Sequence, residues 1–229
     1  MKNHIIVLNL DRSPDRKENL IKQFDKIGTN DYTFFPAFDG KQMINMGLSN
    51  VPILKGSGKG RKLLITELAV IMSHIGALKH AQIMGYENVI ILEDDVVICE
   101  DWEERLNSLE NVLPKDWEYV YLAGHSDYVK LPMYETPTII KAPPMIGAFS
   151  YLVNSSGIAK LISQCSEFAT TYDDMIMHKI QNGKLNGYLY IPFMVYHAGQ
   201  ESLIWNETPG HISHNNNKHS SFNYFKNKL

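Results

Sequence analysis

Three consecutive carboxylates are the residues of this sequence with the clearest chemical potential. Glu93, Asp94 and Asp95 directly follow residues 88–92, an apolar run that predicts a buried strand. Adjacent carboxylates at such a strand end repel one another and need a positive partner, and Mg²⁺ or Mn²⁺ prefers oxygen ligands. In an extended backbone Glu93 and Asp95 face one side and Asp94 the other, so Glu93 and Asp95 are candidate metal ligands. A solvated acidic loop remains the alternative.

A second segment suggests phosphate binding on composition alone. The stretch from Gly56 to Lys62 is rich in glycine and basic residues, but it does not satisfy G-x-x-x-x-G-K-[ST] and no strong strand precedes it. Either a basic flap that closes over a diphosphate or a solvated linker fits this composition.

The elements at the start of the chain predict a βαβ unit. Residues 5–10 are continuously apolar, as in a parallel strand covered on both faces. Ser13 and Pro14 are a helix start, with serine as the N-cap and proline at the first helical position. Residues 32–35 read as the next strand, and Phe38-Asp39-Gly40 closes it with turn chemistry.

The rest of the chain continues the alternation of helices and strands. The apolar run of residues 88–92 resumes at 96–98 after the carboxylates. The further predicted elements are a helix from an N-cap at Thr66 to about 84, a helix from 102 to about 113, a strand at 119–122, a strand and helix over 148–164, a helix over about 174–182 and a strand near 188–191. This order predicts a single α/β domain with a mostly parallel central sheet, whose ligands gather beyond the carboxyl ends of the strands. We expect a flexible loop over about 41–65 and a polar tail over about 206–229.

Composition bounds the class of protein. The 229 residues are 44% hydrophobic and 21% charged with a formal charge of -3, which excludes disorder and gives no reason to expect a nucleic-acid partner. Cys99 and Cys165 lie far apart, so neither a disulfide framework nor a zinc module is indicated. No run approaches a membrane span and no signal peptide is visible, so we expect a cytoplasmic protein that could act at a membrane surface.

The motifs, taken in order, resemble glycosyltransferase family 25, which includes bacterial lipopolysaccharide and lipooligosaccharide glycosyltransferases and the collagen galactosyltransferases. The matching residues are Asn9-Leu10 with Arg12 and Arg16; Ala37-Phe38-Asp39-Gly40; Glu67 with Ser73-His74 and Lys79; Leu92-Glu93-Asp94-Asp95; and the stretch 147–161. Leu78 departs from the pattern, because many members have an aromatic residue before the lysine.

The resemblance implies a GT-A type fold, a nucleotide-sugar donor and a divalent metal. The implied donor-binding residues are Asn9, Leu10, Arg12, Arg16, Asp39, Glu67, Ser73, His74, Glu93 and Asp94. Asn9 and the two arginines surround a predicted helix N-terminus, where amide hydrogens favour anions. Arg12 and Arg16 could instead be exposed helix charges, Asp39 an ordinary turn residue and His74 a structural histidine.

In this fold type a further metal ligand often comes from near the C-terminus, where His197 is the best candidate. Inverting transfer to a hydroxyl also needs a carboxylate base, and Asp173 and Asp174 are candidates. Their alternative role is to cap the helix that they precede.

The resulting hypothesis is a glycosyltransferase that uses Mn²⁺ or Mg²⁺. It would transfer galactose or glucose from a UDP-sugar, with inversion implied by the resemblance, to a saccharide or a hydroxylysine-type protein acceptor. A sugar nucleotidyltransferase would also pair carboxylates on Mg²⁺ but is expected to have a glycine-rich loop after its first strand, which residues 9–14 lack. An inactive family member that acts as a binding scaffold is the other alternative, and the oligomeric state stays open.

Overall fold

A computed structural model describes residues 2–48, 63–132, 134, 136–164 and 170–198. The elements in chain order are β1 (His4–Asn9), α1 (Pro14–Ile27), β2 (Tyr32–Pro36), α2 (Gly40–Asn45), α3 (Ile65–Met84), β3 (Asn88–Glu93), β4 (Val96–Ile98), α4 (Trp102–Val112), β5 (Tyr119–Tyr121), β6 (Thr138–Lys141), β7 (Ser150–Asn154), α5 (Ser155–Gln164), α6 (Tyr172–Gln181), β8 (Gly187–Ile191) and β9 (Val195–His197). The Gly56 to Lys62 stretch, the expected tail and Cys165 lie outside these residues.

Within the described ranges, seven strands form one sheet in the order β2-β1-β3-β7-β5-β8-β6. The pairings of β1 with β2, β1 with β3 and β5 with β8 are parallel, and the pairings of β7 with β3, β7 with β5 and β6 with β8 are antiparallel. The predicted α/β fold with helices flanking a central sheet is confirmed, and the sheet is mixed. β4 and β9 form a separate two-stranded sheet.

The helices cover the sheet because their buried faces carry the apolar residues. On α1 the side chains of Leu20 and Phe24 are fully buried, one turn apart. α3 is apolar on most of its surface, and its residues Ile71 and Leu78 are fully buried, as expected for a helix inside the molecule. A Cβ at Gly76 would lie 3.0 Å from the ring of Phe35, so a glycine lets α3 approach β2 closely.

Three local predictions differ from the structure. α3 begins at Ile65 with Leu64 as its N-cap, so Thr66 is not the cap that was predicted. The short helix α2 occupies Gly40–Asn45, at the start of the segment expected to be a loop, because the Asp39 carboxylate accepts from the Lys41 amide and caps it. The strands β6 and β9 were not predicted.

None of the described helices combines the length and the apolar character needed to cross a membrane.

Candidate active site

Asp94 is held by two side chains from the start of the chain. β1 and β3 are adjacent and parallel with Leu8 opposite Glu93, so the residues that follow both strands meet at one edge of the sheet. There Asn9 donates from Nδ2 to Asp94 Oδ2 at 2.7 Å, and Arg16 donates from Nη1 to Asp94 Oδ1 at 3.0 Å. Arg16 is therefore a buried partner of this site and not an exposed helix charge.

The three carboxylates do not alternate as an extended strand would require. Glu93 ends β3, whereas Asp94 and Asp95 form the turn that leads into β4. The expectation that Asp94 faces away from Asp95 is wrong, because the turn interrupts the two-residue period of the strand. The Arg16 guanidinium approaches both aspartates, with Nη1 3.7 Å from Asp95 Oδ2.

Asp95 and His197 form an ion pair that depends on the small second sheet. β4 pairs antiparallel with β9, which places Val96 opposite His197, and the Ala198 amide donates to the Asp95 carbonyl at 2.8 Å. His197 Nε2 lies 3.3 Å from Asp95 Oδ2. Burial alone would raise the pKa of Asp95, but the hydrogen bond and charge of His197 and the charge of Arg16 lower it. Burial would lower the pKa of His197, but Asp95 raises it.

The other two carboxylates of the triplet are shifted in the opposite direction. Burial and the nearby charges of Asp95 and Asp173 raise the pKa of Glu93 well above its ordinary value. Burial also raises the pKa of Asp94, although hydrogen bonds from Arg16 and Asn9 oppose that shift. Burial thus favours the protonated forms of Glu93 and Asp94 in the metal-free protein.

Glu93 is contacted by His74 of α3. His74 is fully buried, with Nε2 3.3 Å from Glu93 Oε1 and Nδ1 3.2 Å from the Tyr151 hydroxyl. Its ring also stacks on Tyr172, with centroids 4.2 Å apart and planes at 9°. Burial lowers the pKa of His74 to about 3, against a smaller opposing effect of the Asp173 charge.

The two candidate bases have different surroundings. Asp173 Oδ1 accepts from the backbone amides of Gly147 and Ala148, each at 2.8 Å, and no hydrogen bond to its Oδ2 is found within the described part of the chain. Asp174 is buried, and its Oδ2 accepts from the hydroxyls of Thr170 at 3.1 Å and Thr171 at 2.9 Å. Thr171 is the N-cap of α6, and both aspartates lie in its first turn, so the expectation that they precede the helix is wrong. Asp174 is tied to the two threonines at the helix start, whereas Asp173 keeps one oxygen available.

Arg12 and Asp39 form a pair at the edge of a pocket. Arg12 donates from Nε to Asp39 Oδ2 at 2.7 Å. The adjoining pocket has a volume of about 270 Å³ and lies beyond the ends of β1 and β2. Its walls include Asp39, the half-exposed ring of Phe38, Gln42 and Met43. Polar groups beside an apolar ring are suited to a flat heterocycle with attached hydroxyls.

Three of the residues that the resemblance implies for donor binding make hydrogen bonds to backbone groups of the fold. Glu67 accepts from the Leu64 amide at 2.9 Å at the start of α3. Ser73 donates to the Ala69 carbonyl at 2.7 Å and accepts from the Phe38 amide at 2.9 Å, which ties the pocket wall to α3. The Leu10 carbonyl accepts from the Ser13 amide at 2.8 Å in the turn before α1.

The residues at the end of β3 fit a divalent cation in donor chemistry and in charge. The buried Oδ1 of Asp95 has no hydrogen-bond partner among the described residues, which leaves an acceptor that a cation would satisfy. Two carboxylates and an imidazole, from Glu93, Asp95 and His197, are ligand types that Mn²⁺ accepts. The described side chains do not form a preassembled cluster of three such ligands, so binding would require side-chain adjustment.

Sequence reasoning missed the aromatic hydroxyls and backbone amides of this site. The Tyr151 hydroxyl lies 3.2 Å from His74 Nδ1 and 3.1 Å from the Tyr172 hydroxyl, although both tyrosines read as ordinary core residues in the sequence. Gly147 offers its amide to Asp173, and a Cβ there would lie 2.5 Å from the Ala123 carbonyl oxygen. Gly147, the first residue of the matched 147–161 stretch, was the available signal for close backbone approach.

The chain is similar to proteins of one family along most of its length. The sequence model for "Glycosyltransferase family 25 (LPS biosynthesis protein)" matches residues 2–177. An Aedes aegypti glycosyltransferase 25 family member is 25% identical over 171 residues, covering 70% of this chain and 28% of the relative. Homo sapiens procollagen galactosyltransferase 2 is 22% identical over 169 residues, covering 69% of this chain and 27% of the relative.

The chain thus spans little more than a quarter of the length of these relatives. Among solved structures, a glycosyltransferase involved in the glycosylation of the major capsid of PBCV-1 has the same fold. It has a TM-score of 0.52 and 11% identity, covering 88% of this chain and 95% of that one. The family model extends over far more than half of the sequence and includes the carboxylate triplet. This chain therefore belongs to glycosyltransferase family 25.

Proposed function

We propose that this chain is a metal-dependent glycosyltransferase that transfers galactose or glucose from a UDP-sugar to a hydroxyl group, with inversion at the sugar carbon. The acceptor would be a saccharide or a hydroxylysine-type protein side chain. Family membership supports glycosyl transfer in general. The names of the family and of its human relative refer to lipopolysaccharide and to procollagen, which supports these two acceptor classes. The metal, the donor nucleotide and the stereochemistry are parts of the proposal.

The observation that carries the proposal is the convergence of charged groups at one edge of the sheet. Asp94 and Asp95 lie beside the buried Arg16, and Asp95 pairs with His197 while keeping one buried oxygen without a partner in the described residues. A buried oxygen of a charged carboxylate that has no donor is costly in the metal-free protein. The unmatched oxygen supports a role in holding a cation.

The donor would lie along this edge of the sheet. A divalent ion held by Glu93, Asp95 and His197 would neutralise the negative charge that develops on the departing diphosphate. The pocket beside Arg12 and Asp39 suits the uridine, because it pairs polar groups with the ring of Phe38. Uridine and diphosphate would then follow the carboxyl ends of β1, β2 and β3, where ligands of α/β sheets gather.

Asp173 is the better candidate for the base that accepts the proton of the acceptor hydroxyl. Two backbone amides fix the orientation of its carboxylate through Oδ1, which leaves Oδ2 for an incoming hydroxyl. A carboxylate held in this way needs no reorientation when the acceptor binds. Asp174 would keep the start of α6 in place.

A thermal-shift experiment tests the metal and the nucleotide together. UDP is expected to raise the melting temperature in the presence of Mn²⁺ but not with a chelator, and Asp95→Asn should abolish the shift. Asp25→Asn, an exposed carboxylate on α1, is the matched control and should respond as wild type does. Metal-independent UDP binding, or a normal shift in Asp95→Asn, would refute the metal assignment.

Turnover separates this function from its alternatives. Incubation with UDP-galactose and UDP-glucose should release UDP, and faster release on addition of saccharide or collagen-type peptide would identify the acceptor class. A scaffold protein would bind UDP without releasing it from either donor. A nucleotidyltransferase would instead form UDP-sugar from UTP and a sugar phosphate.

A further inference from the structure

Four elements bring a chain of polar groups together beneath Glu93. The hydroxyls of Tyr172 and Tyr151 lie 3.1 Å apart, the Tyr151 hydroxyl lies 3.2 Å from His74 Nδ1, and His74 Nε2 lies 3.3 Å from Glu93 Oε1. Tyr151 pairs with Ile91 across β7 and β3, so its side chain is on the same face of the sheet as that of Glu93.

We propose that Tyr151, supported by Tyr172, is a positioning residue that fixes the tautomer of His74, so that His74 Nε2–H holds the Glu93 carboxylate in one orientation. The effect on Glu93 as a metal ligand rests on the function proposed above, whereas the hydrogen-bonded contacts do not depend on it. The family motifs assign no role to either tyrosine hydroxyl. Both Tyr151 and Tyr172 are fully buried in the core.

The direction of hydrogen bonding follows from the chemistry of the groups. An ionised Glu93, the form that a metal ligand takes, can only accept, so His74 Nε2 must carry the proton in order to donate to it. The same tautomer leaves Nδ1 as an acceptor, and the Tyr151 hydroxyl is the donor within reach. The Tyr151 oxygen can then accept from the Tyr172 hydroxyl. Each contact in the chain thereby has one donor and one acceptor.

Packing leaves the imidazole little freedom to satisfy these contacts in another way. His74 has no solvent-exposed surface, its ring stacks on the Tyr172 ring at 4.2 Å, and the Tyr151 ring lies 5.8 Å away. A ring flip would bring carbon atoms to the positions that now face Glu93 and Tyr151. In metal sites, a hydrogen bond to one imidazole nitrogen likewise fixes the tautomer and the direction in which the other nitrogen points.

Nitrogen-15 NMR of histidine-labelled, metal-free protein at alkaline pH, where Glu93 is ionised, tests the tautomer without any ligand. The chain has nine histidines, so the His74→Gln variant identifies the His74 signals. The wild-type ring should be protonated at Nε2, with a hydrogen-bonded Nδ1. Tyr151→Phe should shift the Nδ1 signal toward that of a free nitrogen or mix the two tautomers, and Tyr172→Phe should cause a smaller change in the same direction.

Tyr119→Phe is the matched control. Tyr119 is fully buried, its ring stacks on Tyr151 at 4.7 Å, and its hydroxyl has no hydrogen-bond partner among the described residues. Its removal changes the same aromatic cluster without touching the polar chain, so the His74 signals should stay as in wild type. An Nδ1-protonated or doubly protonated His74 in wild type, or an equal shift in Tyr119→Phe, would overturn the proposal.

UDP affinity in the presence of Mn²⁺ tests the consequence for Glu93. Tyr151→Phe is expected to weaken it by about 10- to 100-fold, as is common when a residue that orients a metal-site ligand is changed, and Tyr119→Phe should leave it unaltered. Wild-type affinity in Tyr151→Phe would refute the positioning role. If wild type itself fails to bind UDP, the proposed function fails, and the NMR result alone then decides whether Tyr151 sets the His74 tautomer.

Discussion

Replacing Arg16 by methionine should destabilise the metal-free protein, because it removes the cation between two buried carboxylates. The side chains of Arg16 and Asp94 are only 10% and 9% exposed, and Nη1 is 3.0 Å from Asp94 Oδ1. At an effective dielectric of about 20, unit charges at this distance attract by roughly 5 kcal/mol, much of which offsets their desolvation.

Removal of one partner of a buried pair typically costs about 3–5 kcal/mol, since the other charge stays buried. We expect the free energy of unfolding of Arg16→Met to fall by about 3 kcal/mol, the lower end of that range. The reason for the lower value is that Asn9 continues to donate to Asp94. Methionine retains much of the apolar stem of arginine, so little packing is lost.

Urea unfolding followed by circular dichroism measures this change, first with a chelator and then with Mn²⁺. Lys22→Met on the same helix is the control, because the Lys22 side chain is 70% exposed and should contribute little. Mn²⁺ should recover more stability in Arg16→Met than in wild type, since it replaces the missing positive charge. An unchanged urea midpoint in Arg16→Met, or equal stabilisation of both proteins by Mn²⁺, would refute the reasoning.

Two further predictions concern the bases and the buried histidine. Asp173→Asn should lower kcat by about 10²- to 10⁴-fold with little loss of stability, because the amide oxygen can still accept from Gly147 and Ala148. Asp174→Ala should instead lower the free energy of unfolding by about 1–3 kcal/mol. Steady-state kinetics and urea titration of both variants test this: a larger loss of stability in Asp173→Asn, or a larger loss of kcat in Asp174→Ala, would contradict it. Because the pKa of His74 is about 3 in the folded protein against an ordinary 6.5, the unfolded chain alone binds this proton as the pH falls through that interval. Stability should therefore fall by up to about 1.4 kcal/mol per pH unit, and His74→Gln should reduce this slope; an identical slope in both proteins would contradict the assignment.

Elements with strong local signals were predictable from the sequence. The first strand and the helix after it were placed within a residue or two, because an apolar β-branched run and a Ser-Pro helix start are local features. α2, β6 and β9 were missed, since none of them is long enough to show a period. α2 depends on a cap from Asp39, and β6 gains its hydrogen bonds from β8.

The candidate site was only partly accessible to sequence reasoning. The pairing of Asp95 with His197 follows from the antiparallel contact of β4 and β9, which joins residues about 100 positions apart. The distinction between Asp173 and Asp174 came from their hydrogen bonds, because both residues occupy the first turn of α6 and look equivalent in sequence.

The sequence by itself determined the family, the α/β character and the carboxylate triplet, because these are carried by residue type, order and periodicity along the chain. Only the tertiary structure decided which groups surround each carboxylate. The neighbours of Glu93 come from α3, β7 and α6 by way of His74, Tyr151 and Tyr172. Such contacts depend on strand register and helix packing between distant segments, and a one-residue change in register would turn Tyr151 to the opposite face of the sheet.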